Sequence, residues 1–172
     1  MKKIMILGVI LLSVCISLAA VSAADDDGGF SFNFSSSESS NSNGGEVSLN
    51  NNELTIQGIK YTIPEGFEEN ESAQKVGEDA KDGFEGFQIS NVEFNKGEQF
   101  IYIKVIFGGN GIDEDSYTPA NDTVAKEVAG ENGWFTQYND SVSFDYIEDG
   151  KLIEIFAPDE KVLTDLIKSS QN

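Results

Sequence analysis

The stretch that decides the fold class is QFIYIKVIF, residues 99–107. Read with the two-residue period of a β-strand, it has apolar side chains on both faces, and Lys104 is the break in the second face. Such a strand is typical of the centre of a sheet that is covered on both sides. Residues 87–94 have the same aromatic and β-branched character, and the Gly-containing turn at residues 95–97 joins the two runs. We therefore predict a long hairpin whose second strand is central.

Further strands are predicted on both sides of this hairpin. The strand-like runs are residues 54–57, 59–63, 134–138, 142–147 and 152–156. Residues 124–129 fit either a strand or a short helix, because Val124 and Val128 suit both periods.

Two helices complete the predicted fold. Residues 72–81 carry Ala73, Val76 and Ala80 at helical spacing. The C-terminal run has a clearer apolar stripe, with Pro158 expected in its first turn. The predicted core residues of this stripe are Leu163, Leu166 and Ile167. The sequence thus predicts an α+β fold: an antiparallel β-sheet of about six to eight strands, with a C-terminal helix and one other helix packed on it.

The N-terminus has the organisation of a secretory signal peptide. Lys2 and Lys3 precede an almost wholly apolar run, residues 4–21, and small residues lead to a predicted cleavage after Ala23. The alternative is an uncleaved anchor, because the apolar run approaches the length of a membrane span. A lipoprotein is disfavoured because Cys15 lies inside the run. We expect an extracytoplasmic protein, secreted or associated with the cell surface.

Residues 24–52 are predicted to be a disordered acidic linker rich in Ser, Asn and Gly. Such a segment buries too little apolar surface to offset the entropy lost on ordering. Within it Phe30, Phe32 and Phe34 alternate with polar residues. Residues 53–172 are predicted to form the single α+β domain.

Composition excludes several kinds of site. The 172 residues include 30 Asp and Glu, and 11 Lys with no Arg and no His. With the one Cys inside the signal, the mature chain has no Ser-His-Asp triad, no His or Cys zinc site and no Arg clamp. Loss of Lys2 and Lys3 leaves nine Lys against 30 acidic residues, a net charge of −21. That charge repels nucleic acid and anionic lipid. We predict no cofactor, no nucleic-acid partner, and membrane contact only through residues 4–21 if these are uncleaved.

Two segments resemble a known fold. YTIPEGF, residues 61–67, looks like the entry motif of PsbP/DcrB-like domains, and IEIFAP, residues 153–158, is similar to the closing strand and helix of that fold. Residues 129–152 also resemble small extracytoplasmic domains of unknown function in archaea and bacteria. The resemblance implies an antiparallel α/β sandwich, mostly non-enzymatic, with no catalytic residues to carry over.

The acidic loop after the hairpin contains the candidate metal ligands. Asp113, Glu114 and Asp115, with Asn121 and Asp122 nearby, offer the oxygen atoms that Ca²⁺ prefers. Their spacing does not match an EF-hand, and a solvated acidic loop is the alternative interpretation.

Four Asn-X-Ser/Thr sequons are candidate N-glycosylation sites: Asn33, Asn70, Asn121 and Asn139. Trp134, the one Trp of the chain, is expected in the core, and an exposed sugar or peptide platform is the alternative.

These observations favour a non-catalytic, secreted or surface-tethered domain that binds an envelope component or a protein partner. The alternative is a carboxylate-dependent hydrolase acting on cell-wall polymer or glycan, because carboxyl groups are the catalytic groups that remain. Two carboxyl groups converging in a deep cleft would favour the hydrolase. An acidic surface without such a cleft would favour binding.

Overall fold

The computed structural model describes residues 46–81 and 83–171, which form two antiparallel β-sheets and one α-helix. The small sheet has the order β1 (Val47–Asn50), β2 (Glu53–Ile56), β3 (Ile59–Thr62). The large sheet contains β4 (Glu68–Glu69), β5 (Lys75–Asp79), β6 (Gln88–Lys96), β7 (Gln99–Phe107), β8 (Val124–Val128), β9 (Glu131–Gln137), β10 (Val142–Glu148) and β11 (Lys151–Ala157). Its order is β4-β6-β7-β11-β10-β9-β8, and β5 also pairs with β6. The helix α1 spans Glu160–Ser170.

The predicted hairpin is present, and β7 lies inside the large sheet between β6 and β11. Its turn is shifted from the prediction, because Lys96 pairs with Gln99 and leaves Gly97 and Glu98 as the connection. Gly97 has φ 61°, a left-handed conformation that glycine adopts without steric cost.

The chain reaches the far edge of the large sheet through residues 108–123. From there β8, β9, β10 and β11 form a meander that returns inward until β11 pairs with β7. The segment at 124–129 is therefore a strand over Val124–Val128 rather than a helix. The pairing of β7 with β11 brings together two apolar runs that are distant in sequence.

The small sheet and α1 pack on one side of the large sheet, which we call the inner face. Fully buried side chains on this face include Ile101, Ile103, Phe144, Ile153 and Ile155. Leu163, Leu166 and Ile167 of α1 are fully buried against them, which confirms the predicted core stripe.

The helix begins at Glu160, whereas Pro158 was predicted to lie in its first turn. The Asp159 side chain caps it by accepting a hydrogen bond from the Val162 N–H at 2.8 Å, so Pro158 lies before the cap and not in the first turn.

A buried polar contact joins the two sheets. The hydroxyl groups of Tyr61 on β3 and Tyr146 on β10 lie 3.0 Å apart, and both side chains are fully buried. One hydroxyl donates to the other, and no buried side-chain nitrogen or oxygen in the described residues lacks a hydrogen-bond partner.

The second predicted helix is wrong. Residues 72–81 form part of a 3₁₀ turn, Glu71–Ala73, followed by strand β5 along the edge of β6. Val76 is 45% exposed, so the apolar residues of this segment do not form a buried helical stripe. Backbone pairing with β6 supplies the hydrogen bonds that a helix would have made.

The ordered fold also begins before the predicted boundary at residue 53, because Val47–Asn50 pairs with β2. The predicted signal at residues 1–23, most of the predicted linker and Asn33 lie outside the described residues. Within the described ranges no helix is long and apolar enough to cross a membrane.

Candidate functional site

The side of the large sheet opposite α1, which we call the outer face, is only partly covered. On β7, Tyr102, Lys104 and Ile106 alternate with the core residues and point to this face. At one end of the face the loops after β5 and β7 form a small second core, in which Ile112 packs near Ile106 and Leu152. The other end is open to solvent among the described residues, because Phe100 and Tyr138 there are exposed.

A row of polar side chains crosses the middle of the outer face. Strand pairing places five residues in line, each opposite the next: Asn91, Lys104, Glu154, Asp145 and Trp134. The Lys104 Nζ lies 2.8 Å from the Glu154 Oε2. Directly opposed residues have Cβ atoms about 4.5–5.5 Å apart. Asp145 and Glu154 therefore form a cross-strand carboxyl pair.

Asp145 is held by aromatic groups. The Tyr117 hydroxyl, from the loop after β7, donates a hydrogen bond to the Asp145 Oδ2 at 2.8 Å. The rings of Tyr117 and Trp134 are 4.8 Å apart. Burial raises the pKa of Asp145 to about 6; the hydrogen bond from Tyr117 opposes this rise and the charge of Glu154 adds to it. Burial, followed by the charge of Asp145, raises the pKa of Tyr117 above its ordinary value.

Next to this row lies a group of four aromatic side chains, Phe100, Tyr102, Tyr138 and Phe156, which we call the aromatic strip. Tyr102 and Phe156 are opposite each other on β7 and β11, with ring centroids 6.2 Å apart. Tyr138 stacks on Phe156 at 6.1 Å and 23°. Phe100 is 37% exposed and Tyr138 is 47% exposed. The strip is therefore an open aromatic surface on paired strands.

The electrostatic surroundings of the strip are negative. Burial raises the pKa of Tyr102 to about 12, and the charges of Glu154 and Glu93 contribute to the rise. Lys104, the cation in this part of the sheet, is paired with Glu154. The Glu93 Oε1 accepts hydrogen bonds from the side-chain amides of Asn70 and Asn95, each at 2.9 Å. These amides orient the carboxylate without neutralising its charge.

Two cavities lie beside β5 and β6, and the second of them reaches Lys104, the ion-pair partner of Glu154. One, of about 840 Å³, is lined by Gln57, Asp79, Phe87 and Gly108 among others. The other, of about 310 Å³, is lined by Lys75, Lys81, Phe84 and Lys104 among others. Asp145 and Glu154 line neither cavity. The pair therefore lies on a sheet face and outside both of these hollows.

The predicted calcium ligands Asp113, Glu114 and Asp115 are exposed. The Asp113 Oδ1 accepts a hydrogen bond from the Ser116 N–H at 2.8 Å, which closes a local turn. No group of three or more His, Cys, Asp or Glu side chains in residues 46–81 and 83–171 is placed to hold a metal ion. The loop is an exposed acidic turn in the structure, and calcium binding there stays a prediction.

Three of the four sequons fall in the described chain. Asn121 and Asn139 are exposed in loops. Asn70 is more constrained, because its amide donates to Glu93 and its Oδ1 accepts from Ser72 at 2.7 Å. Their glycosylation stays a prediction.

The expectation for Trp134 needs correction. Its half-buried side chain lies on the outer face against Tyr117, whereas its neighbour Phe135 enters the main core. Apart from Trp134, for which a binding platform was the alternative, the residues of the polar row and the aromatic strip were not singled out as a site from the sequence, although Lys104 was visible as a charge inside an apolar run. Their alignment depends on strand order, which local sequence does not contain.

Comparison with known proteins gives no match: no family model, no curated protein and no solved structure is significantly similar to this chain. The geometry of the outer face is therefore the basis on which a function can be inferred.

Proposed function

We propose that the chain is exported and acts as a non-catalytic binding domain, secreted or tethered at the surface, for an envelope component or a protein partner. The observation that carries this proposal is the exposed aromatic strip on the outer face. Large aromatic side chains contribute much of the free energy of recognition, and contiguous exposed apolar surface marks interaction sites.

The position of the strip in the fold adds support. Tyr102 and Phe156 pair with each other on the interior strands β7 and β11, and Phe100 lies on β7 just beyond the last of these pairs, where it is opposite Asn95 of β6. The inner sides of these strands are fixed by the packed core. Because the rings are held in place before binding, little conformational entropy would be lost on contact with a partner.

The resemblance to PsbP/DcrB-like domains is part of this proposal. It rests on residues 61–67 and 153–158, and the mostly non-enzymatic character of those domains agrees with a binding role.

Retention by envelope material tests the binding role. The mature chain, residues 24–172, would be incubated with isolated envelope, and the bound fraction compared for wild type and a Phe100→Ser, Tyr138→Ser double variant. We expect the double variant to lose retention. Val124→Ser is the matched control, because Val124 is an apolar residue that is 58% exposed on the edge strand β8. Equal retention of wild type and the double variant would contradict the proposal.

Export is tested separately by fractionation and N-terminal sequencing. The proposal expects the protein outside the cytoplasm with Ala24 as its first residue. A chain that begins at Met1 in the membrane fraction would favour the anchor, and a wholly cytoplasmic protein would contradict export.

One observation favours the hydrolase as a second candidate. Asp145 and Glu154 are cross-strand neighbours in different environments, and Asp145 has the raised pKa that a general acid requires. Against it, Tyr117 occupies an oxygen of Asp145, and the pair lines neither of the two cavities. Release of reducing sugar from wall polymer decides between the candidates. Hydrolysis that is abolished by both Asp145→Asn and Glu154→Gln would establish the enzyme.

A further inference from the structure

We infer that the aromatic strip binds a cationic segment of a basic protein, whose Lys or Arg side chains lie over its exposed rings. This inference rests on the proposed function and identifies the chemistry of the partner.

The exposed rings of the strip are open to contact with a cation from another molecule. A Lys or Arg cation within about 6 Å of an aromatic ring is attracted by the negative face of the ring. The protein makes this contact elsewhere: the Lys96 Nζ is 5.5 Å from the centre of the Phe67 ring, and the Lys126 Nζ is 4.1 Å from that of Phe135. Neither of these two contacts uses a ring of the strip.

The charges around the strip are complementary to those of a basic segment. Glu93 and Glu154 lie beside the strip and Asp145 lies in the neighbouring row. Lys104 offsets one of these charges through its ion pair with Glu154. A cation at the strip therefore gains from both the rings and the surrounding carboxylates. The net charge, −19 for the whole chain and −21 after the proposed cleavage, also steers basic partners toward the chain and repels acidic ones.

The spacing of the strip indicates the form of the segment. Phe100 and Tyr102 are two residues apart on one face of β7, which is about 6.6 Å at the rise of a β-strand. Alternate side chains of an extended peptide have the same spacing. An extended segment with basic residues at positions i and i+2 would place one cation over each ring. A neutral glycan could also stack on the rings, but it has no positive charge to be attracted by the carboxylates.

The test uses the mature chain and two peptides, acetyl-Gly-Arg-Ser-Arg-Gly-amide and the same peptide with citrulline in place of both arginines. Citrulline keeps the shape of arginine without its charge. Titrations at about 0.15 M salt limit long-range attraction. We expect the arginine peptide to bind about tenfold more tightly than the citrulline peptide. Amide chemical shifts should change at residues 100–104, 136–138 and 154–156.

Two variants separate the strip from the general acidity of the chain. The Phe100→Ser, Tyr138→Ser double variant should weaken arginine-peptide binding about tenfold. Glu127→Gln removes an exposed charge from β8 and should leave the affinity nearly unchanged. Equal affinity for the two peptides, shift changes spread over the whole acidic surface, or an unaffected double variant would each overturn the inference.

The failure of this inference differs from the failure of the proposed function. If envelope retention depends on the strip but the arginine peptide does not compete with the envelope for it, the binding role stands and the inference of a cationic partner is wrong. Competition by an oligomer of N-acetylglucosamine in that case would identify a glycan instead. If retention does not depend on the strip, the proposed function itself is wrong.

Discussion

The inner and outer faces of the large sheet are built from the same strands but differ in what their side chains do. On β7, Ile101, Ile103 and Val105 are fully buried beneath the small sheet and α1. The side chains between them, Tyr102 and Lys104, remain half-buried on the other side. One face therefore supplies most of the hydrophobic stabilisation, and the other is available for contacts with other molecules.

This difference means that stability and binding should respond to different substitutions. Truncation of an inner-face residue leaves a cavity and loses buried area, whereas truncation of an exposed outer-face residue leaves no enclosed cavity and loses less buried area. Substitutions in the polar row are expected to affect both stability and binding. Asp145 belongs to the outer face but is buried enough for its pKa to rise.

The largest effect is expected for Leu166→Ala on the inner side. Leu166 is fully buried between α1 and the large sheet, so its truncation should reduce the free energy of unfolding by about 2–5 kcal/mol. Lys168→Ala, at an exposed position of the same helix, should change it by about 0.5 kcal/mol or less. Urea midpoints of the two variants check this. A wild-type midpoint for Leu166→Ala would show that α1 is not docked.

A smaller effect is expected for Asp145→Asn, and it depends on pH. The folded-state pKa of Asp145 is about 6, above its ordinary value of 3.8, so the folded chain holds a proton that the unfolded chain has already released. Stability from this group is present below pH 3.8 and is lost as the pH rises through 6. As the pH rises from 3.8 to 6, the free energy of unfolding of wild type should fall by on the order of 2 kcal/mol more than that of Asp145→Asn.

Urea unfolding of both proteins at pH 4.5 and pH 7.5 measures that difference. Asp140→Asn, at an exposed position of the same β9–β10 region, is the control and should follow wild type. Parallel pH dependences for wild type and Asp145→Asn would mean that the carboxyl group is solvated and that Tyr117 does not cover it.

The smallest effect on stability is expected in the aromatic strip. Phe100→Ser should change the free energy of unfolding by about 0.5 kcal/mol or less, since the side chain is exposed at the open end of the sheet. Thermal unfolding of the variant checks this. A loss comparable with that of Leu166→Ala would remove the distinction between the faces and would make the strip part of the core.

Much of the fold could be predicted because its signals are local. The two-residue period at residues 99–107 and the stripe of Leu163, Leu166 and Ile167 each specify a buried face without reference to the remaining chain. The failure at residues 72–81 has the opposite cause. Three apolar residues at helical spacing suited a helix, but the open edge of β6 offered backbone pairing that no short window contains.

The candidate site was less accessible to prediction. Lys104 was visible as a charge in an apolar strand, but its partner Glu154 lies 50 residues away and meets it through the pairing of β7 with β11. Tyr138 and Phe156 likewise meet through the order of the meander. Sequence pattern alone could place each of these residues on a strand, and it could not say which strands are neighbours.

Composition and local periodicity were sufficient for the acidic charge, the lack of His and Arg, and the C-terminal helix with its buried stripe, whereas the secretory signal stays a prediction. The polar row, the aromatic strip and the cover of Tyr117 over Asp145 required the folded chain. The physical reason is that a strand's period determines only which of its residues share a face. The neighbours of that face are selected by backbone pairing and core packing between segments far apart in sequence.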